Sequence, residues 1–177
     1  MPKFSLIVLD AGIVIKLFEL GVWDQVVKQC DVHLSKVVAD QEASFHSPTD
    51  DLPHGQPIDL SGDIAESRIS VFQCSLSQVT NFQQRFDQNY AQDLDPGELE
   101  SLAWLFSQQK ECLICSGDAI VFRVLGVTGR ADQGISLQEI LDRIGLSKSL
   151  SWQYKKEFRE QKSNQGSIDQ MQGRGLK

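Results

Sequence analysis

The residues with chemistry to offer in this chain are carboxylates. Asp10 ends the apolar run Phe4-Ser-Leu-Ile-Val-Leu9, Glu98 stands in Leu94-Asp-Pro-Gly-Glu98, and Asp118 follows the apolar string Cys112-Leu-Ile-Cys115 through Ser116 and Gly117. Asp40 and Glu42 add two acids just beyond Val32–Val38. Carboxylates gathered at one edge of a sheet repel one another, so at neutral pH some take up protons unless a cation neutralises them. A divalent metal is the natural partner. Mg2+ prefers oxygen ligands, keeps several waters and is commonly held by one or two carboxylates plus a substrate phosphate. In such a site the metal can activate water and stabilise the leaving oxygen during phosphodiester hydrolysis. Each acid also has a purely structural reading. Asp10 and Asp118 can cap helices at strand-to-helix junctions, and Glu98 fits the third position of a capping box opened by Asp95, with Pro96 at the first helical position.

Other chemistries leave weaker traces. The three histidines, His33, His46 and His54, follow no recognisable catalytic spacing. No G-x-S-x-G, Walker phosphate loop or G-x-G-x-x-G is present, which argues against serine hydrolases, P-loop enzymes and dinucleotide-binding proteins. Of the four cysteines, Cys112 and Cys115 form a Cys-x-x-Cys, but no second pair stands at zinc-finger spacing. Their apolar context favours a buried strand over a redox pair. The net charge of −7 opposes avid nonspecific nucleic-acid binding. It is uneven: Lys155, Lys156, Arg159, Lys162, Arg174 and Lys177 against Glu157, Glu160 and Asp169 give residues 151–177 a charge of +3, leaving −10 on the rest.

The elements that must position these acids follow from hydrophobic spacing. Residues 4–9 read as a buried strand, and Ile13, Val14, Leu17 and Phe18 as the inner face of a helix stopped by Gly21. A short helix over Trp23–Gln29, a strand or strand-to-helix turn at Val32–Val38 and a helix at Ala39–Phe45 follow. Residues 46–57 have loop composition, and the whole stretch 46–74, with short strands near 56–60 and 68–74, reads as an insertion. Further helices are expected from Leu76 to about Gln88, from Asp95 to Phe106, over Ala119–Leu125 and from the capping box Ser136-x-x-Glu139 to Gly145. A strand is expected at Glu111–Ser116. Trp152, Tyr154 and Phe158 lie in a basic segment that forms one more helix, and the tail is polar and Gly-rich.

Taken in order, Leu9-Asp10-Ala11 before an apolar helix, Leu94-Asp-Pro-Gly-Glu98 opening a helix with Leu102-Ala103, and Cys115-Ser-Gly-Asp118 after a buried strand resemble the PIN domain family. The resemblance covers residues 4–126 and rests on the order and spacing of short motifs. It implies a three-layer α/β/α fold with a central parallel sheet of four to five strands. On this reading residues 1–130 form the domain, with an insertion near 46–74. Residues 131–162 form a C-terminal helical extension and 163–177 a flexible polar tail. Gly134-Ile-Ser-Leu-Gln-Glu-Ile-Leu141 and Gly145-Leu-Ser-Lys148 are similar to the extension of a bacterial subgroup of the family.

The resemblance implies a ribonuclease dependent on Mg2+ or Mn2+, with Asp10, Glu98 and Asp118 as catalytic acids and Ser116 opening the [TS]-x-D turn. The family's remaining acid follows an S-x-x-V-x-x-E-like helix start. Here Ser35-Lys-Val-Val38-Ala-Asp-Gln-Glu42 is the matching region, and strict spacing falls on Gln41. Glu42 is the favoured fourth ligand and Asp40 its rival; a Gln at the true site implies a weaker metal centre. An RNA substrate is implied, as are an antitoxin partner if the chain is the toxin of a toxin–antitoxin pair, and a homodimer. No apolar run is long enough for a membrane span and no signal peptide is visible, so the expected location is the cytoplasm. Two alternatives remain: a PIN-fold binding or regulatory protein with an impaired site, and a phosphatase of the haloacid dehalogenase type. For the latter, Gly12 stands where that family has a second Asp.

Overall fold

The computed structural model describes residues 3–177. Strand β1 (Phe4–Leu9) is central, with its last three residues fully buried. It pairs in parallel with β2 (Cys30–Ser35) on one side and with β6 (Leu113–Cys115) on the other. Beyond β2 lies β5 (Ile69–Phe72), and beyond β6 lies β7 (Gly134–Ile135), both also parallel. The five-stranded order is therefore β5-β2-β1-β6-β7. The chain runs outward from β1 in one direction and then returns to build in the other. The strand order reverses between β1 and β6, and the crevice beyond their carboxyl ends is where open α/β sheets take their ligands.

Successive side chains of a strand point to opposite faces, and here each face is covered. Ile7, Leu9, Val32, Leu34 and Cys115 pack against α1 (Ala11–Glu19), α2 (Trp23–Gln29) and α8 (Leu137–Arg143). Val8 and Ile114 pack against the opposite layer, formed by α4 (Leu76–Gln83), α5 (Gln88–Asp93), α6 (Pro96–Ser107) and α7 (Ala119–Val127). This is the expected three-layer α/β/α architecture. Among the described residues, no helix is long and apolar enough to cross a membrane.

Several boundaries differ from expectation. The stretch 46–74 is only partly an insertion. Its first half forms a small antiparallel hairpin, β3 (Phe45–His46) with β4 (Gln56–Pro57), followed by the short helix α3 (Ser61–Ala65), but its last part is the edge strand β5. The strand expected near 68–74 is there, but with only four residues and Val71 exposed nothing in its sequence ties it to the main sheet rather than to an insertion. The helix expected at 39–45 shrinks to one widened turn, Val38–Glu42, closed by Ala43 N donating to Val38 O at 2.9 Å.

The segment 131–162 is not a separate extension either, because Gly134–Ile135 adds the fifth strand. The tail 163–177, expected to be flexible, is packed. Helix α9 (Lys156–Met171) crosses α7 where Gly126 and Gly166 meet: a Cβ on either would collide with the backbone of the other helix. Small residues rather than bulky apolar ones make this contact, so the sequence shows no hydrophobic stripe there. Asp169 then accepts bonds from Tyr90 Oη (2.7 Å), Arg123 (3.0 Å) and Arg174 (2.8 Å), and Leu176 bridges to Phe86.

Candidate metal centre

Asp10 sits where β1 ends, with extended backbone, and its N–H donates to Cys115 O (3.1 Å), prolonging the β1–β6 pairing by one residue. Its Oδ1 accepts from Ala11 N (2.8 Å), so the carboxylate does cap α1, as the structural reading expected. The other oxygen serves a second purpose. Oδ2 accepts a 2.7 Å bond from Ser116 Oγ, and the same hydroxyl accepts from Asp118 N at 3.0 Å. Ser116, fully buried, thus ties the ends of the two strands at the switch point, orienting the Asp10 carboxylate and fixing the backbone of Asp118.

Glu98 arrives from α6. The capping box forms as the sequence predicts: Asp95 Oδ1 accepts from Glu98 N (2.7 Å) and Glu98 Oε2 accepts from Asp95 N (3.0 Å). Capping does not exclude a place in the cluster. Asp118 occupies the cap position of α7, yet its side chain makes no capping bond and is exposed. The capping alternative therefore fails for Asp118. Ligand oxygens of Asp10, Glu98 and Asp118 all lie within 4.8 Å of one another, drawn from three separate elements.

The electrostatics are those of crowded acids. Burial pushes the Asp10 carboxyl up to about 7, and Asp95 and Asp118 add to the rise, against the bonds from Ser116 and Ala11. Glu98 is raised further, by burial first and then by Asp10, Asp95 and Asp118, against the bond from the Asp95 amide. The charged neighbours acting on both are carboxylates. Such a group of oxygen donors, two of them 3% exposed, matches what a hard divalent cation requires. Asp95, read from sequence only as a cap, borders this cluster and adds to the rise of both buried acids. An acid at a helix cap with another three residues on necessarily places two carboxylates at one helix terminus.

Around residue 41 the geometry separates the three candidates. Asp40 and Gln41 are both exposed, and Gln41 contributes only its carbonyl, which accepts from Ser44 Oγ (3.0 Å). Glu42 reaches α6, where its Oε1 accepts from Gly97 N at 3.2 Å and fills the space a Cβ on Gly97 would need. Its carboxyl is raised by burial, then by Asp95 and Glu100, against the Gly97 bond. It stands beside the three-acid group and outside it.

Glu100 escaped sequence reasoning. Buried on α6, it accepts from Val37 N (3.2 Å) and Cys74 N (2.9 Å) and so fixes the chain after β2 and β5 to that helix. An acid within the apolar run Leu99–Ala103 was the available signal. Cys112 and Cys115 are buried free thiols raised by burial, Cys112 to about 12, in keeping with the buried-strand reading.

The fold and site define a class: a parallel α/β protein with a carboxylate cluster at the topological switch point of its sheet. No protein-family model matches the chain, and neither does any curated protein or solved structure compared with it.

Proposed function

We propose that this protein is a metal-dependent endoribonuclease of the PIN type, hydrolysing RNA phosphodiester bonds with Mg2+ or Mn2+. The observation that supports it best is the convergence of Asp10, Glu98 and Asp118 within 4.8 Å at the switch point. These three would hold the cation, which when bound supplies water activation and stabilisation of the leaving oxygen. Asp10 and Glu98 are held rigidly, by Ser116 and by the Asp95 capping box, so little ordering remains to be done on binding. Asp118 is exposed and so open to an incoming phosphate. Glu42 and Asp95 border the site and add negative charge without a place in the triad.

A regulatory or RNA-binding protein with an impaired centre is the second reading. The exposed Gln41 and the engagement of Glu42 with Gly97 favour it, because no fourth side chain from that turn joins the group. The phosphatase reading has less support: Gly12 lies in the first turn of α1, with no second acid beside Asp10 on that turn. Incubation of the protein with single-stranded RNA and a phosphate monoester, with and without Mn2+, separates the three. The nuclease reading expects metal-dependent RNA cleavage that falls about a thousandfold in Asp10→Asn, the loss of an essential transition-state contact being worth about 4 kcal/mol. RNA cleavage surviving that substitution overturns the mechanism, and the absence of both cleavage and metal binding favours the regulatory reading. A toxin role and an antitoxin partner belong to the same proposal and are tested by growth arrest on expression.

A further inference from the structure

An acidic cluster by itself repels a polyanion, so an RNA substrate needs a favourable surface beside it. The segment just before α9 provides one. Tyr154 lies against the Ser116–Asp118 turn: a Cβ on Gly117 would come within 2.9 Å of the Tyr154 ring and 3.4 Å of Gln153 Cγ. On its other side the ring meets α1, with Lys16 Nζ 5.8 Å from its centroid. Tyr154 is half-buried and acts as the wedge that seats the tight turn Trp152–Tyr154 over the rim of the acidic site.

That turn carries Trp152, 45% exposed and braced edge-on by Phe158 at 6.0 Å. The seat is firm. Lys156 N donates to Gln138 Oε1 (3.0 Å), and Arg159 makes paired bonds of 2.8 and 2.9 Å to Glu139. The surrounding charge is basic: residues 144–156 include Lys148, Lys155 and Lys156 and no carboxylate, in a chain of net charge −7. Lys148 and Lys155 are exposed, Lys156 is paired at 3.7 Å with Glu160, and Lys16 at 3.2 Å with Glu19. Asp118 and Glu19 act on Tyr154, Glu160 pairs with Lys156, and the exposed Glu157 follows the strip directly.

Resting on the ribonuclease reading, we infer that Trp152 with Lys148, Lys155 and Lys156 forms a platform for single-stranded RNA: a base stacks on the exposed indole and the lysines take the flanking phosphates, presenting the next phosphodiester to Asp118. A flat exposed ring suits unpaired bases, whose faces are free, and not a duplex, whose bases are stacked internally. The platform therefore selects single strands.

Binding is tested on the full chain in EDTA, where metal-dependent cleavage does not run. A labelled single-stranded oligoribonucleotide is titrated by fluorescence anisotropy, with the same sequence as a duplex in parallel. The indole emission is followed in the same titration. Trp23 is buried and Trp104 half-buried, each stacked on a phenylalanine, so loss of the quenching in Trp152→Phe and Trp152→Leu assigns it to Trp152. Single-stranded RNA quenches the emission and binds more tightly than duplex. Trp152→Ala and Trp152→Leu each weaken binding by about tenfold, and Trp152→Phe keeps it within about twofold. Trp152→Leu retains an apolar contact with Phe158 without a stacking face. If it binds like wild type, or duplex binds as tightly as single strand, the platform is overturned. The measurement is made without metal, so failure leaves the acidic centre standing, and success survives loss of the catalytic reading.

Discussion

Asp10 caps a helix, accepts a serine hydroxyl and belongs to an acidic group, and these roles set its response to pH. Its folded-state carboxyl lies near 7 against an ordinary value of 3.8. Between those values the folded chain keeps a proton that the unfolded chain has released, so stability falls as pH rises. Glu98, raised by burial and by its acidic neighbours, extends the same slope above neutrality. The favourable contribution is complete below the ordinary carboxylate range and is gone once pH has passed both folded values. In EDTA the melting temperature is expected to decline from about pH 5 to about pH 9 on this account, and Asp10→Asn or Glu98→Gln to flatten the decline. Mn2+ should raise the melting temperature most at the alkaline end, where the carboxylates are free to bind it. A calorimetric series across pH with and without metal checks both, and an unchanged slope in both variants contradicts the crowded-acid description.

At the scale of elements, two glycine contacts look alike in sequence and differ in consequence. Gly97, in the first turn of α6, leaves room for the end of the Glu42 side chain, which is flexible. Gly126 and Gly166 leave room for backbone, where α7 and α9 cross. A methyl group at 97 can swing the Glu42 carboxylate aside at the loss of one hydrogen bond, offset by the better helix propensity of Ala, for a net change within about 1 kcal/mol. A methyl at 166 must separate two packed helices and should cost about 3 kcal/mol or more. Urea denaturation of Gly97→Ala and Gly166→Ala gives the comparison, with the second expected to lose at least twice as much as the first. Equal losses would mean that the α7–α9 crossing tolerates separation.

Across the whole molecule, the C-terminal tail is an integral part of the outer layer. Burial alone would raise the Asp169 carboxyl, but the bonds from Tyr90, Arg123 and Arg174 overcome it and hold the group below its usual range. Its contribution is therefore present at neutral pH and is lost as pH falls through the depressed value, opposite in sign to the acidic centre. The two together place maximal metal-free stability at mildly acidic pH. Asp169→Asn should cost about 2 kcal/mol at neutral pH, as expected for charge-assisted bonds left half-made, and remove part of the loss at low pH. Limited proteolysis should then cut within residues 163–177, where the packed wild-type tail is expected to resist.

The sequence by itself determined the strand β1, the helix caps and the three acids, because each is announced locally: an apolar run ending on Asp10, the box Asp95-Pro-Gly-Glu98, and a buried string leading through Ser116 to Asp118. Their order was enough to anticipate a parallel α/β sheet. It could not reveal that Asp118 leaves its helix uncapped, that Glu42 turns to Gly97, or that Glu100 reaches the chain after two strands, since these depend on how the helices lie against the sheet. The strand at β5 was legible but its place at the edge of the main sheet was not, β7 was hidden because two residues carry no periodicity, and the tail because it packs through glycine and serine. Residue types set which groups can cap, ligate or pair. Only the tertiary structure decided which of them meet, because meeting requires the strand order to reverse between β1 and β6 and bring their carboxyl ends together.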